Sequence, residues 1–470
     1  MMLRIDAGLT QAGAPALRRC LCVCWLPSCC ARGLGRGGAG GGAGAGFYVA
    51  AVYEHRVVLN PRPDVRLSWQ AALEHMKQNL DVFEEQTAAA AKQGQIIVFP
   101  EDAIHGFNFT RESIAGYLET VPDPTVVSWN PCSDPTRFPN TEVLHRLSCM
   151  AKNNSIYLFN TDVVFSSAGA LVARYRKQNL YFEAAFDTPP DRALITFHTP
   201  FAGRFGVLTC FDLLFARPAA ALVESAGVRQ LVYPTAWPNQ LPLLAAVQIQ
   251  RSFSYAAGAA LLAANGALYH HAGAGEEEEG RLLVHTLPVL DPLRAQGGPA
   301  PPPPFTGQSE PQYCLRGGGQ GAEGEECVGW SVPPGGPGAP GGPGDTFTAE
   351  MMYDRFTMAT LRGGEGELSV CHGALCCHLL FRRRWAAPGE LYALAAFDGL
   401  HTVHGTYYLQ VCALVSARHV FPGLLADAMA LELPNHSGRE GRSFAMSRRG
   451  MGRGLVTAVL YGRAYDRDHS

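Results

Sequence analysis

The chain has 470 residues, enough for two domains, and its 47% hydrophobic content is that of a globular protein. Acidic and basic residues nearly cancel, at a formal charge of −3, which argues against nucleic acid or an anionic membrane as main partner and for a small neutral or zwitterionic ligand. No apolar run reaches the length of a transmembrane helix, because the longest, 241–264, is broken by Gln248, Gln250 and Arg251.

In chain order, residues 1–46 read as a leader. Arg18 and Arg19 precede a short, cysteine-rich apolar stretch, and a Gly/Ala tract follows from 33 to 46. This is a poor signal region or the product of a wrongly assigned start, and packed structure is expected from Phe47. The run 47–53 (FYVAAVY) is apolar and β-rich, as in a buried strand. Ser68 then stands as a helix N-cap. Leu73, Met76, Leu80, Phe83 and Thr87 recur at three- and four-residue steps, the mark of one helical face ending near Gly94. The strand–helix–strand order continues through strand 95–99, strand 205–209, helix 218–226, strand 231–233, helix 242–257 and strand 261–264, which predicts a layered α/β domain over 47–290.

After residue 290 the composition shifts. Residues 291–345, with Pro301 to Pro304 and a Gly/Pro-rich stretch at 317–344, bury too little apolar surface to pack and read as a linker or disordered loop. Aromatic and apolar runs with few helix signals return over 346–470, which predicts a smaller β-rich second domain. The acidic run Glu276 to Glu279 reads as a solvated loop rather than a metal site.

Of fourteen cysteines, five lie in the leader and nine in the body; with Cys210 free, the remaining eight are an even set suited to an oxidising compartment. The sequons at Asn108, Asn153 and Asn435 point the same way, to a secreted, extracellular glycoprotein.

Three predicted strand ends carry unusual groups: Glu101 in FPED, Lys177 in RYRK after a turn at 166–169, and Cys210 in LTCFD. Carboxyl ends of strands in α/β sheets are where catalytic groups collect. Each residue alone has a bland role, as a cap, a surface charge or a small buried apolar residue. Together they form a chemical set: a thiol nucleophile, a carboxylate to take its proton, and an ammonium that favours thiolate and stabilises an oxyanion.

The order of these motifs resembles the Glu, Lys and Cys signature of the nitrilase superfamily. Longer stretches resemble its biotinidase and vanin branch: IIVFPEDAIHGFNFTR (96–111), RYRKQNLYFEAAFD (174–187), TPFAGRFG (199–206), TCFD (209–212), YPTAW (233–237) and FDGLHTVHGTYYLQVCALV (397–415). The resemblance implies a nitrilase-type α-β-β-α four-layer sandwich followed by the β-rich C-terminal domain, with Glu101 as general base, Lys177 as oxyanion partner and Cys210 as nucleophile. It also implies Glu183 as a second glutamate positioning the lysine or the amine, the Phe211 N–H as a further oxyanion donor, and Trp237 as a wall for the acyl group. The implied activity is release of biotin from biocytin and short biotinyl peptides through a thioester, with no metal or organic cofactor. Pantetheine hydrolysis is the alternative. Compared with the family, segments are missing after Leu158, Asn265 and Val415. The missing segments put the pocket in question and allow a third reading, an impaired protein that only binds biotin or a partner. The gap after Leu158 predicts either a neighbouring strand sliding into the vacancy, carrying Lys177 with it, or an open sheet edge.

Overall fold

A computed structural model describes residues 2–9, 46–160, 163–238, 243–266, 280–290, 312–315, 326–329, 346–382, 392–403, 405–416, 428–432, 442–447 and 457–468. The Glu276 to Glu279 run and Asn435 lie outside these residues.

Two inner sheets form the centre of the first domain. One has six strands in the order Arg281–Pro288, Phe47–Glu54, Ile96–Val98, Tyr157–Asn160, Val163–Phe165, Leu171–Arg174; the other has four, in the order Ala260–Asn265, Gln230–Thr235, Gly203–Val207, Thr196–Thr199. Side-chain alternation assigns the layers. Tyr48, Ala50, Ile96, Val98 and Phe159 of the first sheet pack against Phe205, Val207, Val232, Leu262 and Ala264 of the second. The opposite alternates, Ala51, Tyr53, Ile97, Phe99 and Leu158, face α1 (Trp69–Ala91) and α2 (Glu142–Asn153). On the far side of the second sheet, Leu208, Leu231 and Tyr233 pack with Leu222 of α3 (Ala221–Glu224) and Ile249 and Phe253 of α4 (Ala246–Ala257). The layers are therefore α, β, β, α. Gly206 permits the close approach here, since a Cβ on it would meet Leu231 Cδ2 at 2.9 Å.

Local signals explain the helix boundaries. Ser68 caps α1, accepting from Ala71 N at 3.3 Å. Met76, Leu80 and Phe83 are buried, and Phe83 stacks on Phe99 with ring centroids 3.9 Å apart. Each such burial contributes about 1.5–3 kcal/mol. The helix expected from residue 242 begins only at Ala246, because Leu244 has a positive φ of 57° and Ala245 is extended at ψ 143°. The helix expected over 218–226 is likewise shortened, to a wide turn at Ala216–Ala220 and the single α-turn of α3.

The C-terminal region is a stack of two further sheets. The six-stranded one runs Thr346–Met351, Asp354–Thr360, Tyr392–His401, Tyr407–Ser416, Thr457–Arg463, Ala428–Glu432. The four-stranded one runs Glu365–His372, Leu375–Arg382, Met2–Leu9, Arg442–Ser447. Expected order from Phe47 onward is thus corrected: residues 2–9 form a strand paired antiparallel with both 375–382 and 442–447. Two short strands, Gln312–Leu315 and Glu326–Gly329, also pair inside the stretch read as a linker. Leu379 and Phe381 meet Leu394, Leu414 and Leu460 between the two sheets, which the Cys377–Cys412 disulfide also joins. The other face of the six-stranded sheet contributes Phe397, Val411, Val459 and Tyr461 to the core under α3 and α4, so the two domains share apolar packing. Among the described residues no helix is long and apolar enough to cross a membrane.

At the junction expected to be damaged, Leu158 and Phe159 lie inside one continuous strand. It pairs parallel with Ile96–Val98 and antiparallel with Val163–Phe165. The strand is therefore paired on both sides, and no open edge is left at it.

Candidate active site

Glu101, Lys177 and Cys210 each lie three residues past the end of a strand: Ile96–Val98, Leu171–Arg174 and Gly203–Val207. The first two strands belong to one inner sheet and the third to the other, so the site forms where both sheets present their carboxyl ends. Lys177 Nζ is 2.6 Å from Glu101 Oε1 and 2.7 Å from Glu183 Oε2, with the Lys177 and Glu101 side chains 9% and 4% exposed. Lys177 is thus held against Glu101. The second carboxylate is fixed in turn, because Tyr181 N donates to Glu183 Oε2 at 2.8 Å. Ala236 N donates to Glu101 Oε2 at 3.1 Å.

Cys210 is buried and free, and opens a 3₁₀ turn, Cys210–Leu214, from a positive φ of 47°. A non-glycine residue in this region carries backbone strain, which persists only when its surroundings enforce it. Thr209 N donates to Asp212 Oδ2 at 3.2 Å across the turn, and Tyr233 OH donates to the Cys210 carbonyl at 2.8 Å. Asp212 also accepts from Tyr175 OH (2.5 Å), Asn179 N (2.9 Å) and Asn179 Nδ2 (2.8 Å). One buried carboxylate thus fastens the segment on both sides of Lys177 to the turn that carries the thiol. Sequence reasoning quoted Asp212 only as part of a motif; its burial among donors from 175–179 was not visible there.

The charges act on one another across this contact. Burial, reinforced by Glu101, pushes the Cys210 thiol well above its ordinary value, while Lys177 and the Thr235 hydroxyl and Ala236 N–H beside the sulfur oppose the rise. Burial pulls the Lys177 ammonium down, but Glu101, Cys210 and Glu183 outweigh it and hold the lysine well above its usual value. Glu183 is raised, by burial first and by the like charge of Glu101, with Lys177 opposing. Asp212 is raised by burial to about 6.

A cleft of about 710 Å³, its open mouth included, adjoins Cys210. Trp237 lines it and is held by reciprocal hydrogen bonds with Asn265: Trp237 N to Oδ1 at 2.8 Å, and Asn265 Nδ2 to Trp237 O at 2.9 Å. Phe211 lines it too and packs edge-on against Tyr181 and Tyr407. Half the wall comes from the C-terminal region, including Asp354, Phe356, His401, Tyr407, Val411 and Tyr461. That contribution was not legible in the sequence. Of the other expected positions, Asn108 and Asn153 are exposed. Among the described residues, one group combines metal-ligand side chains, Cys132, His145 and Cys149, but a disulfide joins its two cysteines.

Comparison with known proteins bears on both regions. Residues 57–287 match the carbon-nitrogen hydrolase family, and residues 345–420 match the vanin C-terminal domain. A biotinidase of Takifugu rubripes is 46% identical over 499 residues, covering 90% of this chain and 95% of that protein. That alignment is longer than the 470 residues of this chain, so the relative carries residues missing here. A pantetheinase of Bos taurus is 35% identical over 494 residues, covering 90% of each protein. A solved structure of a Saccharomyces cerevisiae member of branch 10 of the nitrilase superfamily aligns with a TM-score of 0.38 at 19% identity, covering 54% of this chain and 95% of that one.

Proposed function

The chain belongs to the carbon-nitrogen hydrolase family, as an amide hydrolase with a vanin-type C-terminal domain, and from that premise we propose that it cleaves biocytin and short biotinyl peptides through a thioester on Cys210. The observation that carries the reading is Lys177 Nζ lying between Glu101 and Glu183, where its charge acts on the Cys210 sulfur.

Because burial keeps the resting sulfur protonated, the reaction needs a base at the moment of attack. Glu101 takes the thiol proton as the sulfur bonds to the amide carbonyl carbon. The carbonyl oxygen becomes an oxyanion held by the Lys177 ammonium and the Phe211 N–H. As the C–N bond breaks, Glu101 returns the proton to the amine, which leaves. Water then attacks the thioester with Glu101 again accepting a proton; the C–S bond breaks, biotin departs, and the thiol is restored. Glu183 keeps Lys177 charged and aimed while Glu101 changes protonation. Trp237 forms part of the wall beside the acyl chain.

The test is turnover of biocytin and of a chromogenic biotin amide, with mass spectrometry of the protein quenched during turnover. A biotinyl adduct on the peptide containing Cys210 supports the reading. Undiminished turnover by Cys210→Ala removes the thiol from it, and hydrolysis of pantetheine without hydrolysis of biocytin replaces the substrate. Secretion belongs to the same proposal, supported by the Cys132–Cys149, Cys371–Cys376 and Cys377–Cys412 disulfides and by the exposed sequons at Asn108 and Asn153. Protein recovered from culture medium should lose apparent mass on treatment with an N-glycosidase.

A further inference from the structure

The cleft beside Cys210 is apolar over most of its wall, as suits an aliphatic acyl chain, yet it contains a buried polar pair that the chemistry above does not use. Asp354 Oδ2 and His401 Nδ1 lie 2.8 Å apart, with side chains 10% and 2% exposed, and both residues line the cleft. They come from two strands of the C-terminal sheet: Asp354 opens Asp354–Thr360 and His401 closes Tyr392–His401. The imidazole packs against Tyr407 at 4.7 Å between centroids, which fixes the ring, and its hydrogen bond orients the carboxylate.

A carboxylate among Phe356, Tyr407 and Tyr461 is costly to bury, and an apolar wall would have been cheaper for packing alone. In ligand sites, a few polar groups placed in an otherwise apolar slot fix orientation and give specificity. His401 uses one acceptor site of the carboxylate, which has several. The chemistry such an acceptor selects is an N–H donor at the end of an apolar chain.

We propose that the Asp354–His401 pair is a specificity determinant supplied by the C-terminal domain, with Asp354 accepting the N–H groups of a cyclic urea at the far end of the substrate's acyl chain. This rests on the reading of the chain as a biotin-amide hydrolase and identifies the part of the substrate that the second domain recognises. Cys210 and Lys177 act on any amide that reaches them, so loss of the pair should alter selection rather than bond cleavage.

The test compares Asp354→Asn with the parent enzyme on three substrates: biocytin, a chromogenic biotin amide, and the same chromogenic amide of pentanoic acid, which lacks the urea. The expected result is a rise in KM of roughly tenfold or more for both biotin amides, kcat within about threefold, and unchanged kinetics on the pentanoyl amide. His401→Gln should give the same split at smaller size, and calorimetric titration with biotin should show weakened binding in both variants. Equal losses on all three substrates would mean a structural role and overturn the proposal. A defect confined to biocytin would also overturn it, by moving the contact to the leaving amine. A parent enzyme that cleaves the pentanoyl amide but neither biotin amide instead overturns the proposed function itself, so the two failures are told apart.

Discussion

The two domains handle buried charge in opposite ways. In the α/β domain two carboxylates, Glu101 and Glu183, share one ammonium, Lys177, beside a buried thiol. In the C-terminal domain buried charges come as closed couples. Arg463 is bidentate to Asp468 at 2.8 and 2.9 Å, lies near Tyr407 and Tyr465, and donates to the Leu214 carbonyl of the catalytic domain at 2.9 Å. The contrast suits the over-subscribed cluster to the proton exchange proposed for it, and the closed couple to architecture or recognition.

The largest break of this contrast is at the thiol. Cys210→Ala should lower kcat at least about 10³-fold on biocytin while leaving the melting temperature within a few degrees, since only a small buried side chain is trimmed. Loss of fold together with activity would contradict it.

Next is the shared cation. Lys177→Met should lower kcat on the order of 10²–10³-fold and leave Glu101 and Glu183 facing each other without a counter-charge. Denaturant unfolding should therefore show a loss of about 3 kcal/mol near pH 7 that shrinks as the pH falls and Glu183, whose carboxyl burial already raises, protonates. A pH-independent loss would argue against the crowded-carboxylate account.

A closed couple should behave differently. Arg463→Met leaves Asp468 buried without its cation and removes the bond to Leu214, so unfolding should lose about 3–5 kcal/mol. The kcat of the remaining folded enzyme should stay within about tenfold of the parent. A kcat loss as large as that of Lys177→Met would erase the distinction between the two regions.

The smallest expected effect concerns Glu119, which caps the start of α2 by accepting from Val143 N and Leu144 N, at 2.7 and 2.9 Å. Burial raises its carboxyl from 4.5 to about 7. A raised folded-state value contributes stability that is complete below the unfolded value and is lost as pH rises through the folded one. The contribution should thus grow as pH falls from about 7 towards 4.5. Glu119→Gln should flatten that part of the melting-temperature profile, by the equivalent of about 1–3 kcal/mol. An unchanged profile would assign the pH dependence to other groups, Asp212 among them.

Much of the fold was legible because it depends on local signals. The period of Met76, Leu80 and Phe83 with the Ser68 cap specified α1, and the unbroken apolar run over 47–53 specified a buried strand. Where reading went astray, the cause was backbone conformation or long-range pairing. The positive φ at Leu244 delays α4, and residues 2–9 gain strand structure only from partners more than 360 residues away in sequence. At Leu158, where the sequence left a sliding strand or an open edge as alternatives, residues 157–160 pair antiparallel with 163–165.

What the sequence by itself determined is the layered α/β class, the β-rich second domain and which groups are candidates for the proposed chemistry, because apolar periodicity and the strand-end positions of Glu101, Lys177 and Cys210 are written in the chain order. Only the tertiary structure decided that these three strand ends converge, that Asp212 fastens two of them together, and that Asp354 and His401 close the cleft from the other domain. Those facts depend on how sheets stack and on which residues far apart in sequence meet in space. Side-chain type and spacing along one strand carry no record of it.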